Sequence, residues 1–233
     1  MRTALPDLPR CWLSIDLPGY RDHPSRFATY SAFEYDGLPP IERDLDDDLR
    51  WLRNEVPVEG SLADRAPGDP GPRPRLTIEY LDQLLDPGRR DRPKAFEVFV
   101  ASVEARSRIR SATACYADLG EFAVPVLGGG WLIHFLSDQQ WALHWLLYLG
   151  RAGSEAVVVT DAPLGFAADR DPPGAMHEFD PASGAACVCA ESFSEFLFRF
   201  WIENEIWFAL ADPSGARRQL TSDQVRYLAH YRA

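Results

Sequence analysis

Residues 131–149 read Trp131-Leu132-Ile133-His134-Phe135-Leu136-Ser137-Asp138-Gln139-Gln140-Trp141-Ala142-Leu143-His144-Trp145-Leu146-Leu147-Tyr148-Leu149. Two apolar, aromatic-rich runs flank the polar stretch Ser137–Gln140, which is the pattern of a β-hairpin. A two- or a four-residue loop pairs Leu136 with Trp141. One face then carries Leu132, His134, Leu136, Trp141, Leu143 and Trp145; the other carries Trp131, Ile133, Phe135, His144 and Leu146. Both faces are largely apolar, so the hairpin is expected inside a sheet covered on both sides. In this register His134 and His144 point away from each other and cannot share a metal ion.

The flanking sequence supplies the rest of that sheet and its covering layers. Ile109 to Leu119, Glu155 to Thr160 and Ala185 to Ala190 read as further strands. Leu76, Tyr80, Leu81, Leu84 and Leu85 follow helical spacing up to Asp86-Pro87-Gly88, and Pro93 opens a second helix with Phe96, Phe99, Val100 and Val103 as its buried stripe. A long helix begins at the capping box Ser192-Phe193-Ser194-Glu195, with Phe193, Phe196, Leu197, Phe200, Trp207 and Phe208 on its apolar side and Glu195, Arg199 and Glu203 as an i, i+4 ladder. Thr221-Ser222-Asp223-Gln224 caps a last short helix to Tyr231. The expected class is α+β, with a central, mostly antiparallel sheet flanked by helices.

The first third is different. Residues 1–59 form an irregular extension in which only Asp44 to Arg53 has helical spacing, with Leu45, Leu49 and Leu52 at i, i+4 and i+7. The Asp46–Asp48 run reads as a solvated first turn rather than a metal site. Residues 60–75, GSLADRAPGDPGPRPR, have linker chemistry and mark a boundary before a domain spanning 76–233.

The 233 residues, 46% hydrophobic and 25% charged, suit a globular protein with a real core. No run of 18 apolar residues occurs, and the first residues lack the apolar stretch of a signal peptide, so no membrane association is expected and the cytoplasm is the expected location. The four cysteines (Cys11, Cys115, Cys187, Cys189) are then expected to be thiols. Net charge is −11, and the stretch from Thr113 to Gly215 accounts for all of it, with 14 acids against Arg151, Arg170 and Arg199. Nucleic-acid binding needs the opposite charge.

Chemical motifs are sparse. Gly128-Gly129-Gly130 precedes a strand rather than a helix and reads as a tight turn, and the single lysine, Lys94, is far from any glycine loop. Cys187 and Cys189 lack zinc spacing and read as buried thiols, and His177 has no partner at helical spacing. There is no G-x-S-x-G elbow; Cys115 is the one residue worth testing as a nucleophile. No cofactor, no metal and no catalysis are expected. Five of the seven tryptophans lie between 131 and 207, within the acidic region. Tryptophan beside carboxylates suits a basic protein partner.

Residues from about 76 to 210 resemble the SUKH superfamily, the Smi/Knr-type domain of bacterial immunity proteins and fungal cell-wall regulators. The likeness is carried by Pro93-Lys94-Ala95-Phe96-Glu97-Val98-Phe99, the glycine-preceded strand Trp131 to Phe135, Asp138-Gln139-Gln140, Trp145-Leu146-Leu147-Tyr148-Leu149 and Ser192-Phe193-Ser194-Glu195-Phe196-Leu197. The resemblance implies an α+β fold without catalytic residues and a role in binding a protein, often a toxin. On this reading the chain is a non-enzymatic immunity protein that neutralises a basic toxin domain by binding it. The alternative is a housekeeping scaffold docking on an endogenous enzyme or cell-wall complex. Asp138, Gln139, Trp141, Trp145, Glu203 and Glu205 are the expected partner contacts.

Overall fold

In the computed structural model, residues 5, 8–22, 29–63, 76–85, 91–166, 178–211 and 219–232 are described. The described elements run β1 (Cys11–Ser14), β2 (Ser31–Glu34), α1 (Ile78–Leu84), α2 (Lys94–Ala101), α3 (Val103–Ser107), β3 (Tyr116–Ala117), β4 (Val124–Pro125), β5 (Trp131–Ser137), β6 (His144–Leu149), β7 (Glu155–Thr160), β8 (Ala186–Ala190), α4 (Phe193–Leu210) and α5 (Ser222–Ala229). The fold is α+β. Six strands form one antiparallel sheet in the order β3-β5-β6-β7-β8, with β4 also pairing β5, and β1 and β2 form a separate two-stranded ribbon.

Both faces of the sheet are covered. Ile133, Phe135, Trp145, Leu147, Val157, Val159, Cys187 and Cys189 face the core shared with α2 and α4, where Phe96, Phe99, Phe135, Phe193 and Phe196 pack edge to face. Leu132, Leu146, Tyr148, Ala156, Val158 and Val188 face a smaller cluster with Leu5, Leu8, Val124, Val126 and Phe179.

The hairpin register differs from the sequence expectation. Ser137 pairs with His144 and Leu136 with Trp145, not with Trp141, so six residues (138–143) form the loop. A bulge between His134 and Leu136 places both Phe135 and Leu136 in the core, and everything beyond it changes face. Since Phe135 and Leu136 are equally apolar, the alternation of residue types carries no trace of that extra residue.

Two other local expectations are corrected. Asp44 to Arg53 is not an α-helix: Asp46 Oδ1 accepts from Arg50 N at 2.8 Å, Leu49 is left-handed with φ 53°, and only Arg50–Leu52 makes a 3-10 turn. Asp46 uses its carboxylate on the backbone, as turn residues do. Of the strand expected over 109–119, only Tyr116–Ala117 pairs in the sheet; Arg110 bridges Ser61 instead.

Packing does not stop at the proposed boundary. Trp12, Leu17, Leu38, Leu49, Trp51, Leu52 and Leu62 belong to the same core as α2, α4 and the sheet, while residues 64–75 lie outside the described ones. The N-terminal arm also covers a sheet edge: Val188 N donates to Pro9 O at 2.9 Å, leaving β8 without a bare rim there. This juxtaposition joins Cys11 to Cys187 in a disulfide with a Cα–Cα distance of 6.0 Å, which corrects the expectation of four thiols. Residues 176 positions apart offer no spacing signal that could have announced it. Cys115 and Cys189 are free and buried.

With sheet on one side and the N-terminal arm and α5 on the other, α4 is enclosed nearly all round, and its polar residues Arg199, Glu203 and Asn204 are buried along with its apolar ones. Its N-cap is the one expected, Ser192 Oγ accepting from Glu195 N at 3.1 Å. Thr221 and Gln224 form the reciprocal capping box of α5.

Candidate interaction site at the hairpin tip

The expected contact residues separate into three places. Asp138, Gln139 and Trp141 lie in the β5–β6 loop, Trp145 is inside the sheet core, and Glu203 and Glu205 are on α4.

Glu203 is fully buried, and so is no partner contact in this fold. Arg21 grips it with two nitrogens, both at 2.7 Å, and Trp12 Nε1, Ser14 Oγ and Tyr227 OH donate to it at 2.8, 2.6 and 2.7 Å. Burial pushes its carboxyl up, but the guanidinium and these donors bring it below its ordinary value. Arg199 pairs with Glu195 at 3.0 Å, so the expected ladder stops one step short of Glu203. Glu205 is held by Arg110 in a two-pronged ion pair at 2.7 and 2.6 Å. Trp145, 1% exposed, fills the core. These three residues hold the fold together.

The loop is organised by Asp138. Its side chain is 3% exposed, and Oδ1 accepts from Ala142 N at 2.7 Å and Leu143 N at 3.1 Å. Asp138 is thus an internal brace rather than a contact. Gln139 and Trp141 point outward, and Trp141 keeps 46% of its surface exposed. Its φ of 59° lies in the left-handed region, unusual for a bulky side chain and a local cost that the loop imposes. Trp141 Nε1 donates to Tyr116 OH, and the ring packs on Phe166 at 5.1 Å and edge-on to His144 at 5.4 Å.

Beneath it lies a polar cluster that the expected register hid. The bulge turns His134, Ser137 and His144 to the same face, and all three are fully buried. Ser137 Oγ stands 2.8 Å from His134 Nε2 and 3.0 Å from His144 Nδ1. Burial pushes the His144 imidazole below its ordinary value, against the opposing pull of the Trp141 backbone and the Asp138 and Asp161 carboxylates. Two glycines let the covering loops approach: a Cβ on Gly120 would sit 2.8 Å from Gly165 O and 3.3 Å from the His134 Cβ, and Gly165 has φ 87°.

The other chemical candidates are enclosed or structural. Cys115 is 3% exposed and burial raises its thiol, the reverse of an activated nucleophile. Among the described residues no group of three or more His, Cys, Asp or Glu could hold a metal, and His177 lies outside them. Gly128, Gly129 and Gly130 all have positive φ; the loop wraps Tyr148, whose hydroxyl donates to Gly129 O at 2.9 Å. No helix among the described residues is long and apolar enough to cross a membrane.

Charge burial sharpens the surface. Among the described residues Arg21, Arg106, Arg110 and Arg199 are buried, against only Asp138 and Glu203 among the acids. Drawing cations inward leaves the exterior more acidic than composition implies, and exposed Glu121 and Asp161 lie on the two loops bordering the hairpin site.

Comparison of the chain with protein-family models, with curated proteins and with solved structures finds no match.

Proposed function

We propose that this chain is a non-enzymatic protein-binding module that takes a basic protein on its acidic surface, with Trp141 as the anchor, and that it acts as an immunity protein neutralising a toxin domain; the Cys11–Cys187 disulfide removes the argument from free thiols for a cytoplasmic location. The observation that carries the reading is the half-exposed Trp141, held out in a strained loop braced by Asp138. An aromatic anchor on a rigid element suits an interface hot spot, and surrounding carboxylates steer a cationic partner toward it. Inaccessible Cys115 and Ser137 favour binding over catalysis. The likeness of residues 76–210 to SUKH domains supports the immunity role. Gln139 and Asp161 replace Asp138, Trp145, Glu203 and Glu205 as the expected neighbours of Trp141.

The test is to read the neighbouring genes, co-express any toxin domain found there, and measure binding on the purified pair; absence of such a gene would favour the scaffold. Growth is expected to be rescued, with binding weakened by salt. Trp141→Ala is expected to cost at least about 2 kcal/mol of affinity while leaving the circular dichroism unchanged. No rescue and no binding would overturn the immunity role, and stable capture of an endogenous enzyme or cell-wall complex would favour the scaffold.

A further inference from the structure

The His134–Ser137–His144 cluster plays no part in a purely steric binding surface, yet its chemistry is unusual for a core. A serine hydroxyl has one proton, so it donates to one imidazole and accepts from the other only while suitable ring nitrogens remain unprotonated. His144 Nδ1 faces that hydroxyl, while Nε2 is buried without a hydrogen-bond partner. In the neutral ring the orphaned Nε2 is a modest cost. In the imidazolium Nε2 becomes a charged N–H donor for which the closed site makes no hydrogen bond, and burial of that charge outweighs the pull of the Trp141 backbone toward it.

Water is one side chain away. Trp141 and Phe166 form the cover, with Phe166 4.7 Å from the His134 ring and 5.1 Å from Trp141. Trp141 pays for its place with a left-handed backbone, so opening the loop relieves strain as it hydrates the ring. The charged groups around the pair come from every neighbouring element: Asp138 from the loop, Asp161 from the turn after β7, and Asp118 and Glu121 from the 118–122 segment that packs on His134. Tyr116 from β3 meets the site through Trp141, and Thr160, paired with His144 across the sheet, does not titrate. Asp138 and Asp161 favour a proton on His144.

We propose that His134, Ser137 and His144 form a proton-sensitive latch beneath Trp141: uptake of a proton by His144 in mildly acidic solution releases Trp141 and Phe166 and opens the hairpin tip. The sign follows from burial. A ring that is harder to protonate in the closed state than in water makes the closed state lose ground as pH falls through and below the ordinary imidazole value of about 6.5. Release of a bound partner on acidification would follow, and that consequence alone rests on the binding reading above.

The test needs no partner. The indole N–H resonance of Trp141, identified by its loss in Trp141→Phe, is followed in the full chain from about pH 8 to about pH 5.5, an interval bracketing the ordinary imidazole value. The imidazole carbon signals of His144 are followed alongside. A one-proton transition shared by both signals is expected, and His144→Gln is expected to abolish the Trp141 transition. Should His144→Gln fail to fold, coincident midpoints in the wild-type chain carry the test, with His134→Gln expected to move both together. A Trp141 signal that stays flat while His144 titrates would overturn the latch. So would a transition persisting in His144→Gln, or loss of the whole fold over the same interval by circular dichroism.

Discussion

Two polar clusters are buried in this chain, and they are built on opposite principles. Around Glu203 every partner is a donor aimed at one carboxylate: Arg21 supplies the compensating charge, and Trp12, Ser14 and Tyr227 fill the remaining lone pairs. Around Ser137 one hydroxyl serves two imidazole rings, and His144 Nε2 is left over. In the first cluster the carboxylate is saturated, with Arg21 Nε the one guanidinium nitrogen left without a partner, and the cluster joins three distant segments. The second has spare bonding capacity under a side chain that is half in solvent. A saturated ion pair resists change because any loss strands a charge; an unsaturated cluster can trade its cover for water.

The largest effect expected from this contrast is at Glu203. Glu203→Gln strands the buried Arg21 and should cost about 3–5 kcal/mol in urea unfolding. The double change Arg21→Met, Glu203→Leu removes both charges and should cost clearly less than Glu203→Gln alone; equal losses would mean the pair is not coupled. Ser137→Ala ranks next, at about 1–3 kcal/mol, because both rings lose their shared partner. A cost near that of Glu203→Gln would erase the distinction between the clusters.

Glu155, at the far end of β7 from His144, provides a control on pH effects outside both clusters. Burial pushes its carboxyl up to about 7, Oε1 accepting from Phe193 N at 3.3 Å while Oε2 has no partner. The folded state therefore holds this proton more tightly than the unfolded one, and stability declines as pH rises from the ordinary value near 4.5 to about 7. Allowing for its partial exposure, Glu155→Gln should stabilise the protein by about 1 kcal/mol near pH 8 and have no effect near pH 4. A flat difference across that range would remove the assignment.

How much could be read from residues alone follows the range of the interaction concerned. The caps at Ser192 and Thr221 are contained within four residues and stand where the sequence places them. The strands β5, β6, β7 and β8 and the α+β class are equally visible, since each is a dense run of apolar and aromatic residues. The hairpin register was hidden because the bulge falls between two residues of the same polarity. Glu203 looked like the third rung of a surface ladder because its partner, Arg21, lies 182 residues away in an arm without periodicity. In the candidate site, Trp141 and Gln139 were legible as turn residues flanking apolar strands, whereas the His-Ser-His cluster needed the bulge to be known. A doubled apolar position before a Ser-x-x-x-Trp loop, with one histidine immediately before the pair and another three residues after the tryptophan, is the local hint it leaves.

The enclosure of α4 has a consequence for the order in which the protein is made. Its inner groups are met by Arg21, translated long before the helix, and by Tyr227, translated after it. While ribosomes extend the chain past residue 210, the helix has its sheet and its N-terminal cover, but one flank still waits for α5. An aromatic surface is thus exposed during synthesis until translation of α5 supplies its lid, and contacts of such long sequence separation close slowly.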